Sequence, residues 1–190
     1  MNGYLVKKYQ QKRQHTAIAY LLRACISVVF FSQPSIAAAP SAIDLFHIER
    51  NKNSNLVQYT IDIDTQSCQP KIAKPVRVFW RDLEVGPNEI SKLLIYEQPA
   101  YGIKFQGTEG NVQHIRLKAL PEKLITIEFA KTTTSCEATP YVSIQGNKSK
   151  LLKIYVFAKE NFIGFPSVKW IEVRGEDNMG QPVKQKILKD

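Results

Sequence analysis

The sequence predicts an all-β fold: an antiparallel meander of about nine or ten strands forming a lipocalin-like barrel or a sandwich, with one short helix near residues 88–98. Three observations carry that expectation. Most segments alternate apolar and polar residues with period two, which sends successive side chains to opposite faces of a strand. Turn chemistry returns at short, steady intervals between them. Only Glu89-Ile-Ser-Lys-Leu-Leu-Ile-Tyr-Glu97 reads as a helix.

The first 39 residues stand apart from this pattern. They hold Lys7, Lys8, Lys12, Arg13 and Arg23 and no acidic residue, then an apolar run and Ser-Gln-Pro-Ser-Ile-Ala-Ala-Ala. A basic front, an apolar middle and a small-residue end make a secretory signal peptide, cut after Ala37 or Ala39. The competing reading is an uncleaved anchor, but Arg23 breaks the run of about 20 apolar residues that a spanning helix needs. The chain is therefore expected to be exported, periplasmic or secreted, as a single β-rich domain over residues 40–190. Taking those five basic residues from 26 leaves 21 against 17 acidic ones, so the net charge falls from +9 to +4. Much of the basic character belongs to the leader, and no nucleic-acid partner is expected.

The strands follow in order. Ile43–Arg50 and Leu56–Asp64 read as a hairpin about Asn51-Lys-Asn-Ser54, with Val57, Tyr59, Ile61 and Ile63 on one face and Gln58, Thr60, Asp62 and Asp64 on the other. Pro75–Arg81 places Val76, Val78 and Trp80 together, opposite Arg77, Phe79 and Arg81. Asn88 is the expected helix N-cap, Ile90, Leu93 and Leu94 the apolar face, and Pro99 the terminator. Such a short helix is expected to lie over a barrel mouth or a sheet edge. Further strands are expected at Ile103–Gln106, Val112–Lys118, Leu124–Lys131, Tyr141–Gln145, Leu151–Lys159, Val168–Arg174 and Val183–Leu188. Ile125, Ile127, Phe129, Leu152, Ile154 and Val156 should point inward. A bend is expected at Leu120–Lys123 and a turn at Gly146–Ser149.

Cys68 and Cys136 remain once the leader is removed, each in a polar loop. An even pair in an exported chain favours a disulfide; two free thiols are the alternative. With no Cys-x-x-Cys and no His cluster beside them, no metal site is expected, and no cofactor.

Several stretches resemble a bacterial family described as domain of unknown function 4833. They are Asn55-Leu-Val-Gln-Tyr59, Pro75-Val-Arg-Val-Phe-Trp80, Ala100-Tyr-Gly102, Leu117-Lys-Ala-Leu120, Ile144-Gln-Gly146 and Pro166-Ser-Val-Lys-Trp-Ile171. The resemblance spans about Ile43 to Gly180 and implies an exported β domain. It implies no catalytic residues.

The nucleophile elbow, the phosphate-binding glycine loop and the His-Glu-x-x-His helix are all missing from the sequence. His47 and His114 fall on separate strands, where single imidazoles are commoner than a ligand pair. Glu49, Asp62 and Asp64 would serve acid–base chemistry only if gathered in one cleft; a solvated strand face is the bland alternative. The aromatic series is more informative. Arg77, Trp80, Tyr101, Tyr155 and Trp170 are the candidate ligand-binding residues, able to line a barrel interior with Arg77 or Tyr101 as polar anchor. Against this stands the reading that the aromatics fill the core.

The expectation is thus a non-enzymatic exported β protein that binds a small apolar or amphipathic ligand or an envelope partner. A structural or interaction module of the envelope and a carboxylate-based hydrolase are the alternatives. Membrane contact is expected only through the leader or the apolar loop Phe162–Pro166.

Overall fold

The computed structural model describes residues 41–189 except 52, 87–88 and 161–165. The leader, the Asn88 cap and residues 162–165 of the apolar loop lie outside the described residues. No helix among the described residues is long and apolar enough to cross a membrane.

Among the described residues eleven strands build one curled mixed sheet, a half-barrel. They are β1 (Ser41–Arg50), β2 (Asn53–Ile63), β3 (Val76–Arg81), β4 (Ile90–Lys92), β5 (Ile103–Glu109) and β6 (Val112–Leu117), followed by β7 (Leu120–Lys131), β8 (Cys136–Ile144), β9 (Asn147–Glu160), β10 (Pro166–Glu176) and β11 (Pro182–Leu188). The order runs β4-β3-β2-β1-β9-β8-β7-β6-β5, with β10 on β9 and β11 on β10.

The expected meander is present in two pieces, β1–β4 and β5–β8, and β9 joins them. Along one edge β9 pairs with β10 from Lys150 to Glu160. Along the other it pairs first with β8, through Ile144↔Asn147 to Tyr141↔Lys150, and then in parallel with β1, through His47↔Lys153 to Arg50↔Val156. The sheet is therefore not antiparallel throughout. This β1–β9 pairing joins strands separated by more than a hundred residues, and no local turn signal announces it.

The changeover needs an irregularity in β9. Gly175 faces Leu151 and Arg174 faces Lys153, so Leu152 is an extra residue, a bulge. Leu151 and Ile154 are buried and Leu152 is exposed, which corrects the expectation that Leu152 points inward. Before the bulge the odd residue faces the core and after it the even ones do. Gly175 is required opposite the bulge, because a Cβ there would meet the Lys150 carbonyl oxygen.

Most predicted faces stand. Val57, Tyr59, Ile61 and Ile63 on β2 pack with Ile115, Ile125, Ile127 and Phe129 on β6 and β7 in a single buried cluster. Phe46 stacks on Tyr59 with ring centroids 4.4 Å apart. Gln58 and Thr60, expected on the polar outer face, are buried too, and the Gln58 amide donates to the carbonyls of Phe46 and Tyr59. Leu120–Lys123 belongs to β7 rather than to a bend. The β8–β9 hairpin turns on Gln145-Gly146, both with positive φ, a two-residue turn whose twist suits a hairpin.

The helix lies later in the chain and is shorter than the sequence predicts. Ile90–Lys92 is a strand paired with Phe79–Arg81, and the helical stretch is a 3₁₀ turn at Ile95–Glu97 running into α1 (Gln98–Tyr101). A helix of under about 12 residues is marginal unless packing supports it, and the open edge of β3 offered Ile90–Lys92 ladder bonds instead. Pro99 opens α1 rather than ending the helix, since a missing N–H costs nothing in the first turn.

Cys68 and Cys136 are joined, with Cα atoms 5.3 Å apart. The bridge ties the β2–β3 loop to the start of β8, clasping the two meanders at the Ile63 end of β2. Closing a loop of 68 residues stabilises by about 4 kcal/mol in the chain-entropy model. The double substitution Cys68→Ser with Cys136→Ser should lower the unfolding free energy by about that amount, measured by urea titration. An unshifted midpoint would show that the bridge constrains nothing.

Candidate functional site

The hollow of the half-barrel is filled. Phe46, Val57, Tyr59 and Ile61 are at most 2% exposed, so the middle of the concave face is solid core rather than a lumen. Toward the Asn53 end of β2 the same inward-facing rows change chemistry. β2 runs outward from Val57 to Asn55 and Asn53, β3 from Val78 to Trp80 and Asp82, and β1 from Ile48 to Arg50. Apolar side chains give way to a polar and aromatic layer at one mouth.

The connector from β4 to β5, residues 93–102, crosses this mouth. Leu93 and Tyr101 pack on the core, and the Tyr59 hydroxyl donates to the Tyr101 carbonyl at 2.6 Å. Gly102 closes α1 where a Cβ would strike the Gln98 carbonyl oxygen. Trp80 meets Tyr101 edge to face at 5.3 Å. The indole N–H of Trp80 donates to Glu97 Oε2 at 3.0 Å, and that oxygen also accepts from the Leu94 amide. The Arg50 guanidinium lies 4.8 Å from the Trp80 ring and 5.8 Å from the Tyr101 ring. Burial raises the Tyr101 phenol above its ordinary pKa, with Arg50 opposing the shift. Tyr59, deeper still, is raised well above its ordinary value by burial.

Beside this layer an open groove of about 390 Å³ runs along Trp80, with Arg50, Asn55, Ser91, Leu94 and Glu97 in its walls. Ser91 pairs with Trp80 across β3 and β4, and its small side chain leaves the indole uncovered on that flank. Arg50 Nε and Asn55 Oδ1 are buried there without a partner among the described residues.

The five sequence-predicted site residues fall in three places. Trp80 and Tyr101 come together at the mouth. Arg77 lies elsewhere, on the outer face of β3, bonded to Asp62 at 2.7 Å. Tyr155 and Trp170 meet on the outer face of β9 and β10, 5.5 Å apart. There Phe157 stacks on Trp170 from β9 at 5.0 Å, and Lys186 reaches its ring from β11 at 4.4 Å. Because β9 and β11 flank β10 on opposite sides, both faces of Trp170 are covered. Arg174 likewise lies 5.4 Å from the Tyr155 ring. This cluster is a cross-strand ladder that satisfies itself.

Arg50, Asn55, Ser91 and Glu97 escaped the sequence reading. The signal available was the polar ends of otherwise alternating strands, which also describes any strand entering a turn.

The two strand histidines do not pair with each other, and the three candidate carboxylates do not gather in one cleft. His114 bonds Thr126, while His47 bonds Glu49 at 3.1 Å, and Glu49 also accepts from Lys153 at 3.0 Å. Asp64 caps its own turn through Gln66 and Ser67. The β1–β2 register puts Glu49 and Asp62 roughly 20 Å apart along the hairpin. The described residues contain no group of three or more His, Cys, Asp or Glu side chains able to hold a metal ion.

Two outcomes follow from these contacts. Tyr59→Phe should cost about 1 kcal/mol by leaving the Tyr101 carbonyl without its donor, read by urea unfolding. For Glu49, burial raises the pKa, but the bonds from Lys153 and His47 outweigh it and the net shift is downward from 4.5. A depressed folded pKa means that the carboxylate stabilises above its unfolded value, and that this contribution drains as pH falls through the folded one. Glu49→Gln should therefore flatten the acid side of the stability profile; a profile unchanged below about pH 4.5 would contradict this.

A family model described as Domain of unknown function (DUF4833) matches residues 46–186. No curated protein and no solved structure matches the chain. The match takes in the filled hollow, the mouth layer and most of the strands that position them, and the chain belongs to this family of domains of unknown function.

Proposed function

We propose that residues 40–190 form an exported, non-enzymatic β domain that binds a small amphipathic ligand in the groove beside Trp80. One observation carries this reading. The groove combines an aromatic wall with two buried polar atoms, Arg50 Nε and Asn55 Oδ1, that have no partner among the described residues. Leaving such atoms unpaired costs about 1–3 kcal/mol each, a cost recovered by a ligand that draws either side chain toward the groove. Concave sites with an apolar wall and a few convergent polar groups are the usual form of small-molecule sites.

Export is supported by the leader pattern in the sequence and by the Cys68–Cys136 bridge, since disulfides persist in oxidising compartments. The filled hollow favours a ligand seated at the mouth over one enclosed as in a wide barrel.

Thermal-shift screening against lipid, sugar and aromatic classes tests the proposal. A ligand at a hundred times its Kd should stabilise the domain by about 2.7 kcal/mol, and Trp80→Ala should abolish the shift. Stabilisation by no class would argue against a ligand site.

A further inference from the structure

The groove also carries information about the kind of ligand. The arginines differ in their partners. Arg77 pairs with Asp62, Arg81 with Asp44 and Arg174 with Glu172, while Arg116 donates instead, in an exposed bond, to the Pro121 carbonyl. Arg50 has no ion-pair partner among the described residues. Its guanidinium lies over Trp80 and Tyr101 and bonds the Tyr101 phenol oxygen, and its Nε is buried without an acceptor among the described residues. A guanidinium has five N–H donors and cannot lose its charge at ordinary pH, so a half-buried one without a carboxylate keeps donors to offer.

The acids in the same walls do not supply the missing partner. Glu97 Oε2 is engaged by the Trp80 indole and the Leu94 amide. Asp82 Oδ1 accepts from the amides of Glu84 and Val85 in its own turn. Both carboxylates serve to shape the connector and the β3–β4 turn. The second cation in the walls, Lys92, stands exposed at the rim.

The outer lip of the groove is apolar. Leu94, Ile95 and Tyr96 follow one another at 53%, 92% and 76% exposure. Apolar side chains this accessible, adjoining a groove with an aromatic wall, suit a hydrocarbon portion that leaves the groove over the connector.

We infer that the ligand is an amphipath with an oxyanion head, a carboxylate or a phosphate, bound by Arg50, its apolar part lying on Trp80 and leaving over Leu94 and Ile95. This rests on the ligand-binding reading above and adds the charge and the orientation. Arg50 is the recognition residue and Lys92 a secondary attraction at the rim.

Calorimetric titration of the purified protein with octanoate, octyl phosphate and octanol separates the two levels of the claim. At least one anionic probe should bind about tenfold tighter than octanol, the lower end of what a charge-assisted hydrogen bond supplies. Octanoate ahead of octyl phosphate identifies a carboxylate head, and the reverse order a phosphate. Arg50→Gln should bring the preferred anion down to the affinity of octanol while leaving octanol itself unchanged. Equal affinity for all three in the wild-type protein overturns the oxyanion and leaves the groove reading standing. Binding of none of them overturns both. Should Arg50→Gln fail to fold, Kd for the preferred anion in the wild-type protein must weaken with added salt while that for octanol does not; salt-independent binding overturns the role of Arg50.

Discussion

The architecture depends on β9 sharing one edge between two partners. A strand offers two ladders; β10 occupies one of them from Lys150 onward, and β8 and β1 divide the other. Because β8 leaves at Lys150 and β1 arrives at Lys153, the two meanders cannot lie in one plane. They diverge, and the space between them is where Tyr59, Ile61, Ile115 and Ile127 meet. The Leu152 bulge and Gly175 make that division sterically feasible, since bulges bend a strand and shift its facing.

Two further ties hold the diverging meanders, one at each end of β2. At the Ile63 end the Cys68–Cys136 bridge joins the loop after β2 to β8. At the Asn53 end the connector spans from β4 to β5, the outermost strands of the two pieces, and the Tyr59 hydroxyl anchors its backbone. A covalent tie is available only in an oxidising setting, whereas the hydrogen bond gains strength from the dry core in which Tyr59 sits. The mouth layer thus rests on the same side chain that fills the centre of the core.

The groove results from that arrangement rather than from a dedicated element. Inward rows that are apolar in mid-strand end in Arg50, Asn55 and Asp82, where the core stops and water begins. Trp80 belongs to both regimes: its ring packs toward the core while its N–H meets Glu97. Ser91 opposite keeps its flank clear, and Arg50 lies against its face. An aromatic surface and a cation with no carboxylate partner among the described residues are brought together here by three strands and a connector.

Period-two alternation was enough to read which residues of β2, β3 and β7 enter the core, because facing follows directly from backbone geometry and burial of apolar area is the dominant gain. The even pair of cysteines beyond the leader pointed to the bridge, and the aromatic series named Trp80 and Tyr101. It could not say that these two would meet while Tyr155 and Trp170 covered each other on the outer face. Their partners come from strands far away in the chain, and no local pattern records which strands become neighbours. The helix was misplaced for a related reason: the helical preference of Ile90–Lys92 is worth a few tenths of a kcal/mol per residue, less than the ladder bonds that the free edge of β3 provides. Local chemistry therefore dictated most of the strands, most of their faces and the disulfide-forming residues. The division of the β9 edge, the parallel β1–β9 pairing and the lone guanidinium over Trp80 arose only on folding, because long-range pairing is chosen by the packing of the whole sheet.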